Sequence, residues 1–453
     1  SAAPGPGGTP TPPGPPAPPA PPGPDADALV AELRLQLDAL RADAEPGRLR
    51  LLLAAESSGA LVAAEMQHDG LPWDVAEHDR LLTERLGPRP PAGRRPERLE
   101  TLADAVRAAL DRPGLNPDSQ PDLLASLRSA GCAVTSTSKH EVGALDHPVR
   151  DPLLEYKRLS RLLGANGWAW MDRWVDHGRL RAEYVVAGVV SGRWATSGGG
   201  ALQLPKEVRR AVRSDPGWRL VVADAAQLEP RVLAAMSGDR AMAAAGRHAD
   251  LYQGIVDAGT VATRSEAKYA MLGAIYGATS GAGGLLMPRL ARAYPRAVAL
   301  VEDAARAGER GEVVTTWLGR SSPDPGPRWR EEVRAAAGEG SSAEEVRQAR
   351  RRARDQGRFT RNFVVQGTAA EWALCWLASL RRRLRALAGP SGAPHLVFFL
   401  HDEVLVHAPA DRAEAAAEAV RAAADEAGRL LFGDVGVDFA LDVAVVTSYD
   451  EAP

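Results

Sequence analysis

A chain of 453 residues with 45% hydrophobic content is long enough for two or three domains with sizeable cores, and it reads as a soluble globular enzyme. Its formal net charge of -3 excludes a uniformly basic nucleic-acid coat, although local arginine stripes can still do that work. Cys132 and Cys375 are too few for a disulfide framework or a zinc site, and neither a signal peptide nor an apolar run of membrane-spanning length is visible, so a cytoplasmic protein that stays off membranes is expected.

Residues 1–24 are almost all Pro, Gly and Ala, a composition that cannot pack a core and predicts a disordered or semi-rigid linker. From Asp25 the spacing of Leu29, Val30, Leu33, Leu37 and Leu40 predicts a helix, and Leu51, Leu52, Leu53, Leu61, Val62 and Met66 continue the pattern. The chain from Gly70 to Trp174 reads as largely helical, with breaks at Pro88 to Pro96, Pro113 to Pro121 and Pro148 to Pro152. Arg209, Arg210 and Arg213 form a first basic stripe. A short apolar run, Leu220 to Ala223, ends in Asp224. Arg264, Lys268, Leu272 and Tyr276 recur every four residues and so trace one helical face, with both cations toward the end where the helix dipole favours phosphate. Gly273 and Gly277 on this helix imply close approach of another surface.

Residues 321–357, rich in Pro, Gly, Ser and Arg, read as a long surface insertion. Arg347, Arg350, Arg351, Arg352, Arg354, Arg358 and Arg361 make a second, denser basic stripe, for which a solvated helix face is the competing explanation. Thr368 and Glu371 have the spacing of a capping box, which predicts a helix start. His395 to Val406 holds two apolar runs around His401-Asp402-Glu403, as a strand, a tight turn and a returning strand would, and Val437, Phe439, Leu441, Val443 and Val445 alternate with period two. A small antiparallel sheet with helices on one face follows, an α+β fold.

Two aspartates delivered from adjacent strands suit magnesium chemistry, because Mg²⁺ prefers oxygen ligands and usually takes one or two carboxylates with phosphate and water. Asp224 and Asp402 are the candidates, although either one alone reads more readily as a strand-end or turn residue. Lysine occurs only at Lys139, Lys157, Lys206 and Lys268, so in this arginine-rich chain Lys268 marks a place that wants a compact point charge. Arg264 and Lys268 on one turn could hold a triphosphate; the rival is an ordinary amphipathic helix with Met271, Leu272 and Ile275 in a core. Taken in order, the segments make the pattern of a nucleotidyl-transfer site.

Together these segments resemble family A DNA polymerases, the DNA polymerase I type. Asp224-Ala-Ala-Gln-Leu-Glu-Pro-Arg231 is similar to the family's first motif, usually Asp-Tyr-Ser-Gln-Ile-Glu-Leu-Arg; Arg264 to Gly277 is similar to its nucleotide-binding fingers helix, and His401-Asp402-Glu403 to its third motif. Ser191-Gly192-Arg193 with Leu202-Gln203 resembles the segment that grips the primer-template minor groove. Arg358, Asn362 and Gln366-Gly367-Thr368-Ala369-Ala370 resemble a further DNA-contacting segment, and Leu153-Leu154-Glu155-Tyr156-Lys157 looks like the thumb helix. The resemblance runs from about Gly70 to the C-terminus. It implies a right-hand polymerase with an antiparallel β palm and helical thumb and fingers. After the 1–24 linker, 25–66 would be the helical remnant of an upstream exonuclease-like domain. The thumb would be 67–187, the palm 188–240 and 390–453, and the fingers 241–389 with the 321–357 insertion.

The resemblance also implies template-directed addition of dNTPs to a primer 3′ end, in replication or repair, by a monomer that binds primer-template DNA. Two Mg²⁺ ions, or Mn²⁺, would be held by Asp224, the Ala225 carbonyl and Asp402, with Glu403 in support. Arg264 and Lys268 would bind the triphosphate, Gln227 and Glu229 would border the sugar, and Glu229 would exclude a ribose 2′-hydroxyl. Leu272 would lie near the 3′ side of the nucleotide, and Tyr276 would pack at the base of the nascent pair. Arg193, Gln203, Arg358, Asn362, Gln366 and His401 would contact primer or template. The chain departs from the family at Ala225 (usually Tyr), Leu204 (Asn), Tyr252 (His) and Leu272 (a bulky aromatic), which bears on sugar selection. No apolar strand with an Asp-x-Glu pair precedes Gly70, so proofreading is not expected of this chain. A DNA-binding relative without catalysis is disfavoured by the retained Asp224, Asp402, Arg264 and Lys268, and a phage-type RNA polymerase by Glu229.

Overall fold

The computed structural model describes residues 25–42, 45–91, 93–198, 204–247, 250–277, 281–336 and 341–453. The predicted 1–24 linker and Gln203 lie outside the described residues. The chain divides into two compact units, residues 1–50 and 51–453. In the first, α1 (Ala26–Ala42) leaves Leu29, Leu33 and Leu37 exposed, and α2 (Pro46–Asp69) begins.

From Leu51 onward α2 belongs to the second unit, where Ala55, Val62, Ala63 and Met66 share a core with Trp372 and Trp376. Small residues make this packing possible: a Cβ on Gly59 would lie 2.5 Å from Leu374 Cδ2. Of the expected helical remnant over 25–66, residues 51–66 pack into the core of the second unit.

A helical group follows: α3 (Val75–Leu86), α4 (Glu97–Ala109), α5 (Gln120–Ser129), α6 (Lys139–Gly143), α7 (Arg150–Asn166) and α8 (Trp168–Trp174). The Asp74 carboxylate caps α3 by accepting the Glu77 amide at 2.9 Å. Pro121 and Pro152 fall in the first turns of α5 and α7, where a missing N–H is tolerated. Next come α9 (Leu228–Ser237), α10 (Arg240–Ala245), α11 (Leu251–Asp257), α12 (Arg264–Tyr276), α13 (Gly281–Ala293), α14 (Pro295–Glu309), α15 (Gly326–Ala335), α16 (Ala343–Ala386) and α17 (Ala413–Phe432).

The expected helix start at Thr368 fails at α16. That helix runs for 44 residues from a capping box at Ser342 and Glu345, so Thr368 and Glu371 lie mid-helix. There they anchor a loop: the Thr368 hydroxyl accepts the Trp317 amide at 3.0 Å, and Glu371 accepts the Leu318 amide at 3.0 Å. The 321–357 stretch, expected as a long surface insertion, holds α15 and the first turns of α16, where Gly357 lets α14 come close. Part of α16 is long and apolar enough to cross a membrane, contrary to the sequence reading, yet 83% of that window is buried inside the fold, as in a core helix.

Small sheets join β1 (Leu71–Pro72), β2 (Val175–Asp176) and β3 (Arg179–Leu180) in the order β1-β3-β2, and β4 (Glu183–Val185) to β5 (Ala195–Gly198). The main sheet is antiparallel and comprises β6 (Trp218–Ala225), β7 (His395–Leu400), β8 (Glu403–Pro409) and β9 (Leu441–Val446) in the order β7-β8-β6-β9. Alternation sorts β6 into two cores: Val221, Ala223 and Ala225 pack with residues of α16 and α17, while Leu220 and Val222 pack with Phe398, Leu405, Tyr449 and residues of α3 and α7. Both faces of the sheet are covered, not one.

Candidate active site

The apolar run of β6 breaks at Asp224, whose parity puts it on the face of Leu220 and Val222. The register sets Glu403 of β8 and Asp442 of β9 directly across from it, one on each side. Between β7 and β8 the chain reverses at His401, which takes φ 57°, and the Asp402 carbonyl accepts the Ala225 amide at 2.8 Å. The two predicted aspartates therefore meet at one end of adjacent strands. Burial pushes the Asp224 carboxyl up to about 7, with Asp402, Glu403 and Asp442 adding to the rise and Arg209 opposing it. Burial also pushes Asp402 up to about 6, against the pull of Arg193.

Crowded carboxylates of this kind repel one another, and a divalent cation would relieve that repulsion. Among the described residues no three His, Cys, Asp or Glu side chains converge as a ready-made cation cage. The oxygen-only donor pair of Asp224 and Asp402 fits Mg²⁺, which completes its shell with phosphate and water.

Asp442 belongs to no motif. The signal for it is the polar half of the β9 alternation whose apolar half, Leu441 and Val443, is recognisable in the sequence. Arg209 turns inward rather than forming a nucleic-acid stripe: it stands 3.8 Å from Glu403 and over the Tyr449 ring, 4.2 Å from its centroid. Arg210 likewise pairs with Glu77 at 2.5 Å.

After β6 the chain turns through Gln227, at φ 51°, into α9. The Gln227 side-chain oxygen accepts the Leu251 amide at 3.1 Å. Arg231, 1% exposed, donates to the carbonyls of Ala226 (2.8 Å), Gly246 (2.6 Å) and Asp438 (2.5 Å), pinning this turn to the segment that leads into β9. Glu229 is held at both oxygens, by Arg193 and by the Tyr276 hydroxyl at 2.9 Å.

A capping box of Thr263 and Glu266 starts α12. Its stop is Gly277, at φ 72°, whose amide reaches the Gly273 carbonyl; a Cβ there would lie 3.1 Å from Arg358 Cγ, the close approach expected of this glycine. Arg264 pairs with Asp250 at 2.5 Å and lies over the Tyr252 ring, 5.6 Å from its centroid. Lys268 is exposed one turn further on. Met271 and Ile275 are core residues, whereas Leu272 is only half-buried and stands outside the apolar clusters.

The residues assigned to DNA are divided among several partners. Arg193 is on Glu229, Arg358 pairs with Asp355, and Gln366 accepts the Ser191 hydroxyl at 2.8 Å. Asn362 Oδ1 and His401 Nδ1 are buried without a hydrogen-bond partner among the described residues.

The chain is 27% identical over 373 residues to the DNA polymerase I of Chloroflexus aurantiacus, covering 75% of this chain and 36% of that protein. It is 27% identical over 437 residues to the thermostable DNA polymerase I of Thermus thermophilus, covering 85% of this chain and 47% of the relative. The chain thus spans less than half the length of these two relatives. Among solved structures, the polymerase domain of Pol1 from M. smegmatis, in complex with DNA primer-template and dNTP, matches with a TM-score of 0.71 at 19% identity, over 94% of this chain and 74% of that one, a likeness of fold. The family model described as DNA polymerase family A matches residues 122–451, a stretch that includes every one of the motifs placed above. The chain belongs to DNA polymerase family A.

Proposed function

We propose that this chain adds deoxynucleotides to the 3′ end of a primer under the direction of a DNA template. The observation that carries the proposal is the meeting of Asp224 and Asp402 at one end of β6 and β8, with Glu229 linking that end to Tyr276 of α12. On this reading the main sheet is the palm, α12 is the nucleotide-binding helix of the fingers, and α3 to α8 form the thumb. Two Mg²⁺ ions, when bound, would activate the primer hydroxyl and neutralise the leaving pyrophosphate. Asp224 and Asp402 would hold them, with the Ala225 carbonyl as a further ligand.

The other residues bind and exclude. Arg264 leaves Asp250 to join Lys268 on the triphosphate; the pair is exposed enough (52% and 34%) for the exchange to be easy. Glu229 closes off the 2′ side of the sugar. His401 and Asn362, each with an unsatisfied polar atom, face primer or template. Replication and repair both use this reaction.

Primer extension with separate dNTP and NTP pools tests the reading. Asp224→Ala and Asp402→Ala are each expected to slow extension by roughly a thousandfold or more while primer-template binding persists. Near wild-type extension by either variant would show that the site is misplaced.

A further inference from the structure

The loop 310–325, between α14 and α15, holds none of the motifs placed above, yet its backbone is tied down closely. Glu371, fully buried in α16, accepts the Thr316 hydroxyl and the Leu318 amide, while Thr368 takes the Trp317 amide. The Trp317 indole N–H reaches the Leu431 carbonyl of α17 at 2.7 Å. Within the loop the Thr316 amide donates to the Arg320 carbonyl and the Arg320 amide to the Thr316 hydroxyl, both at 2.9 Å. These bonds fix the place from which the Arg320 side chain sets out.

That side chain runs between α2 and the turn 189–193. At its tip it pairs with Glu56 of α2, the two side chains being only 20% and 19% exposed. Along its length it lies on Gly192, which holds φ 85°: a Cβ there would stand 2.7 Å from Arg320 Nε, 2.9 Å from Cζ and 3.0 Å from Nη2. Three such similar distances put Gly192 over the flat face of the guanidinium. The other side of the turn is closed by α16, where Gln366 accepts the Ser191 hydroxyl and a Cβ on Gly367 would lie 3.2 Å from the Ser191 carbonyl oxygen. The residue after Gly192 is Arg193, which tethers Glu229, and Trp194 beyond it is buried against Phe399. A clamped turn therefore aims Arg193 at the carboxylate, and Arg320 is the one jaw of the clamp supplied by a charged side chain.

We propose that Arg320 is a positioning residue for the sugar side of the site: braced by Glu56 and pressed on Gly192, it holds the turn where Arg193 reaches Glu229. The inference rests on the polymerase reading above, with Glu229 bordering the sugar. It is tested by the ratio of kcat/KM for each dNTP and its matching NTP, which cancels any loss of DNA affinity or of folded protein common to both nucleotides. Arg320→Ala lowers discrimination against ribonucleotides by about threefold, and by no more than Arg193→Ala does. The double variant Arg320→Ala/Arg193→Ala matches Arg193→Ala alone, because without Arg193 nothing is left for Arg320 to aim. Arg320→Lys keeps a charge for Glu56 but lacks the flat face, so it discriminates as poorly as Arg320→Ala, and by retaining the ion pair it reports even if the alanine variant does not fold.

A wild-type ratio in Arg320→Lys would overturn the proposal, as would an unchanged ratio in Arg193→Ala or losses that multiply in the double variant. Absence of extension by the wild type with any dNTP would overturn the polymerase reading instead.

Discussion

Glu229 is tethered at both carboxylate oxygens, and its side chain is only 12% exposed. If Glu229 borders the sugar as proposed, a ribose 2′-hydroxyl can enter only when the carboxylate moves, so the tethers should set part of the barrier to ribonucleotides. A hydrogen bond to a charged acceptor contributes about 1.5–3 kcal/mol when well shielded. Tyr276 is 42% exposed, and water screens its bond to Glu229 down to about 1 kcal/mol. Tyr276→Phe, which removes this tether and leaves the carboxylate, is therefore expected to weaken discrimination against ribonucleotides by about fivefold. Glu229→Ala removes carboxylate and tethers together and should weaken it by at least about tenfold more. Single-nucleotide incorporation with each dNTP and its matching NTP, expressed as a ratio of kcat/KM, measures both effects. If Glu229→Ala leaves the ratio unchanged, Glu229 does not border the sugar. If only Tyr276→Phe leaves it unchanged, the gate stands and the tethering argument is refuted.

Leu272 is half-buried and offers no hydrogen bond, so dideoxynucleotides should be poor substrates. Leu272→Tyr supplies a phenolic donor and should improve them by about 0.5–1.5 kcal/mol, a few-fold in competition assays; an unchanged ratio would mean that Leu272 does not face the sugar. A stability prediction comes from His78, which is fully buried: its Nδ1 accepts the Trp73 indole N–H at 3.3 Å and its Nε2 faces the Asn166 carbonyl at 2.9 Å. Burial lowers its pKa from 6.5 to about 4, so the folded state stays neutral where the unfolded state takes up a proton. The stability this histidine contributes is thus intact above pH 6.5 and declines as pH falls toward about 4, by about 3 kcal/mol in all. Urea midpoints across that window should fall less steeply in His78→Gln, and identical slopes would remove His78 as the cause.

Where a motif depends on one strand end or one helical face, the sequence was enough. Asp224 and Asp402 close apolar runs that the structure brings to one end of adjacent strands, and Arg264 and Lys268 sit on the first turns of a well-capped helix. What escaped depends on partners distant in the chain. Asp442 joins the carboxylates only through strand register with β6, and Arg209 is inseparable from Arg210 in sequence although both turn toward acidic partners. The spacing of Thr368 and Glu371 suits a capping box, but a helix already running from Ser342 overrode it, and the same side chains found loop amides instead. The 321–357 stretch read as a surface insertion, but its composition did not show that residues from 343 onward continue into the buried half of α16, where Gly357 meets α14.

Gln227 and His401 both hold a left-handed backbone without being glycine, one just after Asp224 and the other just before Asp402. Each such residue costs on the order of 1 kcal/mol, which glycine or asparagine at the same place would largely avoid. A screen for heat resistance that ignores catalysis would therefore be drawn to these two positions. Variants it gathered there would gain melting temperature by discarding side chains in the two turns that carry the carboxylates, so a thermostabilised library of this protein should be sorted on turnover before it is ranked on heat tolerance.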